Sequence, residues 1–407
     1  MWPSENGAAP VENSKENVIF VHMKILFVVN NFYGKGNGLQ SSARRTVQYL
    51  KRSGVDVRVL SMRNPDPSPD APQPEYPLQE FIFPFFQSII EAQCYAYAKS
   101  DKKIIREACQ WADVVHLEEA FPLEKITADI ARSLGKAVVS TFHLYPENIT
   151  SSLSMGWWKG LNHAILWWMR TIVFNKCSDI QCPTQNVLER LQRFHFKARL
   201  HLIPNGAILD EPSDTDTLKK PGTDPYILLC IGRLAVEKDQ PTLLRAMKYS
   251  KYRDRIQLNF AGKGPEEDKI RRMADKYVRK GILKYPPVFG FHTLNELRSL
   301  ARESYLYIHC APIEVEGLSC IEAIREGTVP VIAQAPLSAT SQFALDERSL
   351  FPAKNPEALA QKIDWWIEHP VEREEMSPKY IESVEKYDIN KSIESLVEMY
   401  RLAMESK

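Results

Sequence analysis

From Met23 onward the chain alternates short, apolar, β-rich runs with longer stretches in which apolar residues return every three or four positions. Short apolar runs suit strands covered on both faces, and the longer period suits the helices that cover them, so the pattern predicts parallel sheets flanked by helices. In the first half the predicted strands are 24–30, 55–60, 113–117, 137–142, 179–182 and 200–203. The alternation stops between Asp210 and Asp224, where Pro, Ser, Thr, Asp and Lys dominate, and this stretch reads as a linker. It then restarts, with predicted strands at 226–231, 256–260, 305–309 and 329–333 and helices near 240–250, 265–280, 293–302, 317–326 and 356–369. The expected fold class is α/β. Two Rossmann-like, doubly wound parallel-sheet domains occupy 23–207 and 225–387, joined by a linker at 208–224, with a disordered extension over 1–22 and a last helix within 388–407.

Length and composition agree with two cores. The chain has 407 residues, 44% of them hydrophobic and 25% charged, too long for one ordinary core and typical of a globular protein. Its 52 Lys and Arg are interleaved with 51 Asp and Glu, which argues against a nucleic-acid partner because such readers concentrate basic charge in a stripe. The seven cysteines are scattered and form no Cys-x-x-Cys pair, pointing to a reducing compartment without structural zinc. Cys177 and Cys182 flank a predicted strand and read as packed thiols. No uncharged apolar run reaches the roughly 18 residues a bilayer span requires. The first 22 residues carry Glu5, Glu12 and Glu16 without a basic start and do not resemble a signal peptide. Prolines from Pro65 to Pro84 crowd one connection, expected to be an extended surface segment without chemistry.

In doubly wound sheets ligands bind beyond the carboxyl ends of the strands, so chemistry is sought just after predicted strands. Glu314 and Glu322 lie eight positions apart across a predicted helix start, with Gly317, Leu318 and Ser319 between them. A helix start favours an anion such as a diphosphate, and a carboxylate one turn later can accept hydrogen bonds from vicinal sugar hydroxyls. Gly232, Arg233 and Lys238 follow the first strand of the second half, and two cations in one such loop can hold the charge of a departing diphosphate. Gly34, Gly36 and Gly38 follow the first strand of the chain, but their spacing is not Gly-x-Gly-x-x-Gly and no acidic residue closes the second strand, against a dinucleotide site. His143, Glu147 and Asn148 follow the fourth strand and are cleft candidates, whereas His116 reads as structural. Asp214 and Asp216 fall in the linker and read as a solvated turn, so no metal site is expected.

Residues 155–174 hold four of the eight tryptophans with Lys159, His163 and Arg170 and no acidic residue. Helical spacing groups Trp158, Leu161, Ile165, Trp168 and Ile172 on one face. That face suits either a core helix or a helix lying in a membrane interface.

Gly-Arg-Leu-x-x-Glu-Lys at 232–238 and the Glu314/Glu322 pair, with Ala261-Gly262-Lys263-Gly264-Pro265 and Val288-Phe289-Gly290 between them, resemble the retaining glycosyltransferases of family four, which have the GT-B fold. The resemblance covers essentially Lys24 to the C-terminus and implies that the last helix crosses back to the first domain. It implies that Arg233 and Lys238 hold the donor diphosphate, that Glu322 binds the ribose and that Glu314 contacts the donor sugar. Gly232, Gly262, Phe289, Gly317, Leu318 and Ser319 would complete the donor site. Gly34 and Gly36 would lie over the donor phosphate, His143 close to the transferring sugar, and Gly38, Glu147 and Asn148 on the acceptor side. The implied activity is retaining transfer of a glucose-like hexose from a nucleoside diphosphate sugar, UDP-sugar favoured, without metal or further cofactor. A membrane glycerolipid is among the acceptors it suggests, with the enzyme in the cytoplasm, touching the inner face of the plasma membrane through 155–174. The alternatives are a nucleotide-sugar epimerase or a non-catalytic nucleotide-sugar-binding, membrane-associated protein. One position departs from the family: Glu316 stands where an aromatic residue is usual, predicting an extra carboxylate beside the sugar site.

Overall fold

The computed structural model describes residues 23–406 except 35, 37, 70, 86, 153, 154, 157 and 210–221. The expectations for residues 1–22, for the centre of the linker with Asp214 and Asp216, and for Trp157 lie outside the described residues.

In the first half the strands are β1 (Lys24–Val28), β2 (Asp56–Met62), β3 (Tyr76–Leu78), β4 (Glu80–Phe81), β5 (Tyr97–Ala98), β6 (Val114–Leu117), β7 (Ala137–Thr141), β8 (Asp179–Cys182) and β9 (Arg199–Leu202). Seven of them form one parallel sheet in the order β3-β2-β1-β6-β7-β8-β9. The second half supplies β10 (Tyr226–Ile231), β11 (Ile256–Ala261), β12 (Val288–Gly290), β13 (Leu306–His309), β14 (Ile313–Glu314), β15 (Val329–Gln334), β16 (Leu337–Ser338) and β17 (Leu350–Pro352). Six of these make a second parallel sheet, β12-β11-β10-β13-β15-β17. In both sheets the chain runs outward from a central strand and returns on its other side, between β1 and β6 and between β10 and β13. The crevice at such a reversal is where open α/β sheets bind ligands.

The short edge strands depart from the sequence reading. The proline-rich connection contains β3, which pairs Leu60 with Tyr76 and Met62 with Leu78. Pro77 is tolerated there because an edge strand has no further neighbour to which it must donate. β12 and β17 have three residues each, too few for a hydrophobic period to register.

The helix Ile389–Glu405 returns to the first half. Ile389, Ile393, Leu396, Met399, Tyr400 and Ala403 join a core with Phe27, Val47 and Val139, each large apolar side chain contributing about 1.5–3 kcal/mol by burial. Where this return crosses the outgoing chain, Ala207 N–H donates to Tyr387 (2.8 Å) and Ile389 N–H to Ala207 (2.9 Å). Gly206 has φ +80°, and a Cβ there would lie 2.7 Å from Ile389 Cα, so only glycine fits the crossing.

The helix Lys159–Ile172 turns a different face inward from the one its apolar spacing suggests: Asn162, Leu166 and Met169 are buried. On that face the Asn162 amide accepts from Thr150 Oγ1 (2.6 Å) and donates to the Gly156 carbonyl (3.0 Å). Ile165 and Ile172 pack partly against the same core, while Trp158, Trp167 and Trp168 are 50%, 58% and 41% exposed. Among the described residues no helix is long and apolar enough to cross a membrane.

Candidate active site

The strand ends of the second half form the floor of the site. Gly232 N–H donates to the Ala261 carbonyl (3.0 Å) and Gly262 N–H to that of Gly290 (2.7 Å). A Cβ on Gly262 would stand 2.0 Å from the Gly232 oxygen, so the two loops can touch only without that side chain. The loop after β10 is then fixed by Gln240, whose amide donates to the Arg233 carbonyl (2.9 Å).

Arg233 and Lys238 both meet partners at this mouth. Arg233 bonds the Glu237 carboxylate and, from the first half, the Gln93 carbonyl (3.2 Å) and side-chain oxygen (2.5 Å). Lys238 Nζ bonds the Glu314 carboxylate. His309, at the end of β13, brings Nε2 to 3.5 Å from the same carboxylate and Nδ1 to 3.0 Å from Tyr307 OH. Burial works against the charge on Glu314, but Lys238 and His309 outweigh it and bring its pKa to about 2. Glu314 is therefore an ionised acceptor at neutral pH. For His309, burial is the largest influence and lowers its pKa.

Gly317 caps the helix Leu318–Arg325 with φ +89°, and a Cβ there would meet Thr340 Cγ2 at 2.2 Å. Leu318 is half-buried, and Ser319 Oγ is 3.0 Å from Tyr307 OH. Glu322 pairs across the cleft with Arg45 of the helix Gly38–Arg52 at 2.7 Å, and Arg45 also donates to the Gly206 carbonyl at 2.8 Å. Phe289 stacks on Phe260 with centroids 5.1 Å apart, and the Arg271 guanidinium lies 4.3 Å from its ring centre.

Glu316 does not supply a free carboxylate at the sugar site. It is 4% exposed and accepts from Asn205 N–H (2.9 Å) and Nδ2 (2.6 Å), clasping the end of the first half. Beside it, Thr184 Oγ1 donates to the Val315 carbonyl at 2.9 Å. Burial raises the Glu316 pKa to about 7 despite the Asn205 bonds and the nearby His143 and Arg45. A carboxyl whose folded pKa exceeds its unfolded one stabilises the fold fully below its ordinary 4.5 and loses that contribution as pH climbs through about 7. Glu316→Gln, which imitates the protonated carboxyl, should thus gain stability over wild type between about pH 5 and pH 8. The gain expected in denaturant titrations is on the order of 2–3 kcal/mol.

On the first-half side, His143 Nε2 lies 2.7 Å from Glu118 Oε2. Both Glu147 oxygens accept from Arg190 (2.7 and 3.0 Å), and the pair is buried. Asn148 Oδ1 accepts from Tyr145 N–H at 3.0 Å, tying down the start of the helix Pro146–Ser152. The Gly34 carbonyl accepts from Arg44 (2.7 Å), Gly36 has φ +87° and Gly38 opens the first helix. The structure therefore pairs Lys238 with Glu314, holds Arg233 of the same loop against Glu237 and Gln93, and sets Glu322 opposite Arg45. It engages Glu147 and Asn148 in contacts within the first half. Sequence reasoning passed over His309, Gln93, Arg45, Asn205 and Glu118. Only two of these left a local signal: His309, a polar residue ending an apolar strand five positions before Glu314, and Glu118, which opens a Glu-Glu pair after another.

Two family models match successive parts of the chain, "Glycosyltransferase Family 4" over residues 36–211 and "Glycosyl transferases group 1" over 214–383. A phosphatidyl-myo-inositol mannosyltransferase of Mycobacterium leprae is 24% identical over 93% of this chain and 96% of its own. Among solved structures, Alr3699/HepE of Anabaena in complex with UDP and glucose has a TM-score of 0.65 at 16% identity, covering 93% of this chain and all of that one. The catalytic domain of the cholesterol-alpha-glucosyltransferase of Helicobacter pylori is 46% identical, covering 40% of this chain and 99% of that one, at a TM-score of 0.38. Parallel sheets facing one cleft, a returning terminal helix and two family models in succession give one conclusion: the chain belongs to the family-four glycosyltransferases of the GT-B fold.

Proposed function

We propose that the protein transfers a glucose-like hexose from a UDP-sugar, with retention of anomeric configuration, to a hydroxyl of a membrane glycerolipid. The observation that carries this reading is the pairing of Lys238 with Glu314 just before the helix start at Gly317, with Arg233 in the same loop as Lys238. It offers cations for a diphosphate next to an ionised acceptor for sugar hydroxyls. The acceptor oxygen approaches the anomeric carbon from the side of the leaving group. As the new C–O bond forms, the bond from that carbon to the β-phosphate oxygen breaks, its electron pair leaves with UDP, and the acceptor proton passes to a diphosphate oxygen. Arg233 and Lys238 stabilise the charge that collects there, so the step is written without a metal or further cofactor. Glu322 would exchange Arg45 for the ribose hydroxyls, and Gly232, Gly262, Phe289, Leu318 and Ser319 would complete the donor pocket. His143, with Gly34 and Gly36, would close over the donor from the first half. Gly38, Glu147 and Asn148 would lie on the acceptor side. The UDP and glucose bound by the Anabaena protein support the donor, and the lipid named for the Mycobacterium leprae relative supports the acceptor class.

The outward tryptophans support a membrane-side acceptor at the cytoplasmic face. Trp158, Trp167 and Trp168 are exposed on a helix with Lys159 and Arg170 and no acidic residue, a composition suited to an anionic lipid interface. The double variant Trp167→Ser/Trp168→Ser should co-sediment with phosphatidylglycerol vesicles roughly tenfold more weakly. The direct test supplies UDP-glucose with vesicles containing diacylglycerol and analyses products by mass spectrometry and by anomeric coupling in NMR. An α-linked glycolipid is expected. A β-linked product, or an epimerised UDP-sugar with no glycolipid, would refute the reading.

A further inference from the structure

Behind His143 the first half holds a line of buried polar side chains for which the transfer scheme above has no use. Tyr400 OH, on the returning helix, is 2.5 Å from His116 Nδ1. His116 Nε2 is 2.7 Å from Thr141 Oγ1 and 3.1 Å from Glu118 Oε1. The other Glu118 oxygen takes His143 Nε2 at 2.7 Å. Glu118 is 3% exposed and His116 wholly buried. The Glu118–His143 contact follows from topology: β6 and β7 are central neighbours, pairing Leu117 with Ser140, so residues just past their carboxyl ends face one another.

A buried carboxylate between two imidazoles is expensive unless both oxygens are satisfied, and here they are. Burial alone would raise the pKa of Glu118, but His143 and His116 bring it to about 2. For His143, burial pulls downward, and Glu118 reverses that, with smaller contributions from Glu316 across the cleft and from Glu119. The surrounding charges are themselves engaged: Glu119 with Asn30 and Tyr95, and Glu316 with Asn205. Arg45 is the further charged group acting on Glu316.

We propose that Glu118 is a positioning residue for the transfer reaction, holding the His143 ring by Nε2 so that it meets the donor through Nδ1. This rests on the reading above, in which His143 lies against the transferring sugar. With the carboxylate ionised behind it, His143 keeps its proton to a higher pH than a free imidazole and presents Nδ1–H to the cleft as a cationic donor. Glu118 touches no substrate. Its effect passes through the ring.

The test is a titration of the full-length protein labelled at histidine Cε1, with His143 assigned from His143→Gln. In wild type, His143 should titrate above the ordinary value of about 6.5. In Glu118→Gln that titration should move to lower pH, and the alkaline limb of the kcat/KM profile should move with it while kcat falls roughly tenfold or more. Glu118→Asp keeps the charge and should keep the high titration with part of the turnover, which covers the case in which the Gln variant does not fold. A wild-type His143 that titrates at or below the ordinary value, or one unmoved by Glu118→Gln, would overturn the proposal. The titration needs no turnover. A shift of the expected sign in a protein that transfers no sugar would therefore count against the functional reading, whereas an unmoved titration in an active enzyme would count against Glu118 alone.

Discussion

Lys238→Gln and Arg233→Gln should each lower turnover at saturating donor by about 10²-fold or more, the size found when one preorganised electrostatic donor is removed from a developing anion. The effect belongs in kcat because the charge on the leaving diphosphate grows as the bond to the sugar breaks, so a cation holds it more tightly then than in the ground state. Each cation also neutralises a carboxylate on its own side of the cleft, Lys238 that of Glu314 and Arg233 that of Glu237. Losing Lys238 therefore has a second consequence. The strongest influence opposing burial at Glu314 disappears, its pKa climbs from about 2, and the acidic limb of the rate profile should move to higher pH. Circular dichroism and thermal melting separate these effects from unfolding. A folded Lys238→Gln enzyme with wild-type kcat would exclude the residue from the leaving-group site.

The largest effect on stability is expected from Arg190→Met. Arg190 bonds both oxygens of buried Glu147 and lies 4.5 Å from the centre of the Tyr145 ring. Removing one partner of a buried ion pair strands the other charge and costs about 3–5 kcal/mol, whereas replacing both with apolar groups is often close to neutral. Urea titrations should accordingly show a loss of that size for Arg190→Met and recovery of most of it in Arg190→Met/Glu147→Leu. Full recovery is not expected, because the cation over Tyr145 is also lost. A double variant as unstable as the single one would show that Glu147 does not depend on Arg190.

How much of this was legible in the sequence follows from distance along the chain. The central strand β10 coincides end to end with its apolar run, as a strand buried on both faces is largely apolar, whereas buried β8 carries Asp179 and Gln181, whose polar groups are held by Arg199, His201 and Thr141. Of the edge strands, β9 lies within a residue of the expected 200–203, whereas β3 escapes because it carries a proline that only an edge tolerates. Of the residues proposed to hold the donor, Arg233 and Lys238 stood out in the sequence because one short loop holds them, and Glu314 because a glycine-capped helix follows at once. What could not be read is the clasp between the halves. Arg45 and Glu322 are 277 residues apart, Thr184 and Val315 131, and Asn205 and Glu316 111, and no local period encodes such pairings. The same limit reversed the expectation for Glu316: the sequence shows a carboxylate where an aromatic is usual, and only the fold shows Asn205 claiming it. For the tryptophan helix the sequence left a core and an interface reading open, and the fold divides its expected face, with Ile165 and Ile172 packed against the core and Trp158 and Trp168 exposed.

On the proposed reading, contacts within and between the halves are what a donor would meet. Glu322 is held by Arg45, Arg233 by Gln93 and Glu237, and Lys238 by Glu314. A nucleoside diphosphate bound as proposed would replace protein contacts with its own, by groups already oriented.

Calorimetric titration of the full-length protein with UDP reads the central assignment without requiring the acceptor. Saturable one-to-one binding is expected, lost in Arg233→Gln/Lys238→Gln and weakened in Glu322→Gln, with the fold retained in each. Binding of equal strength in the double variant, or no binding by the wild type, would contradict the account.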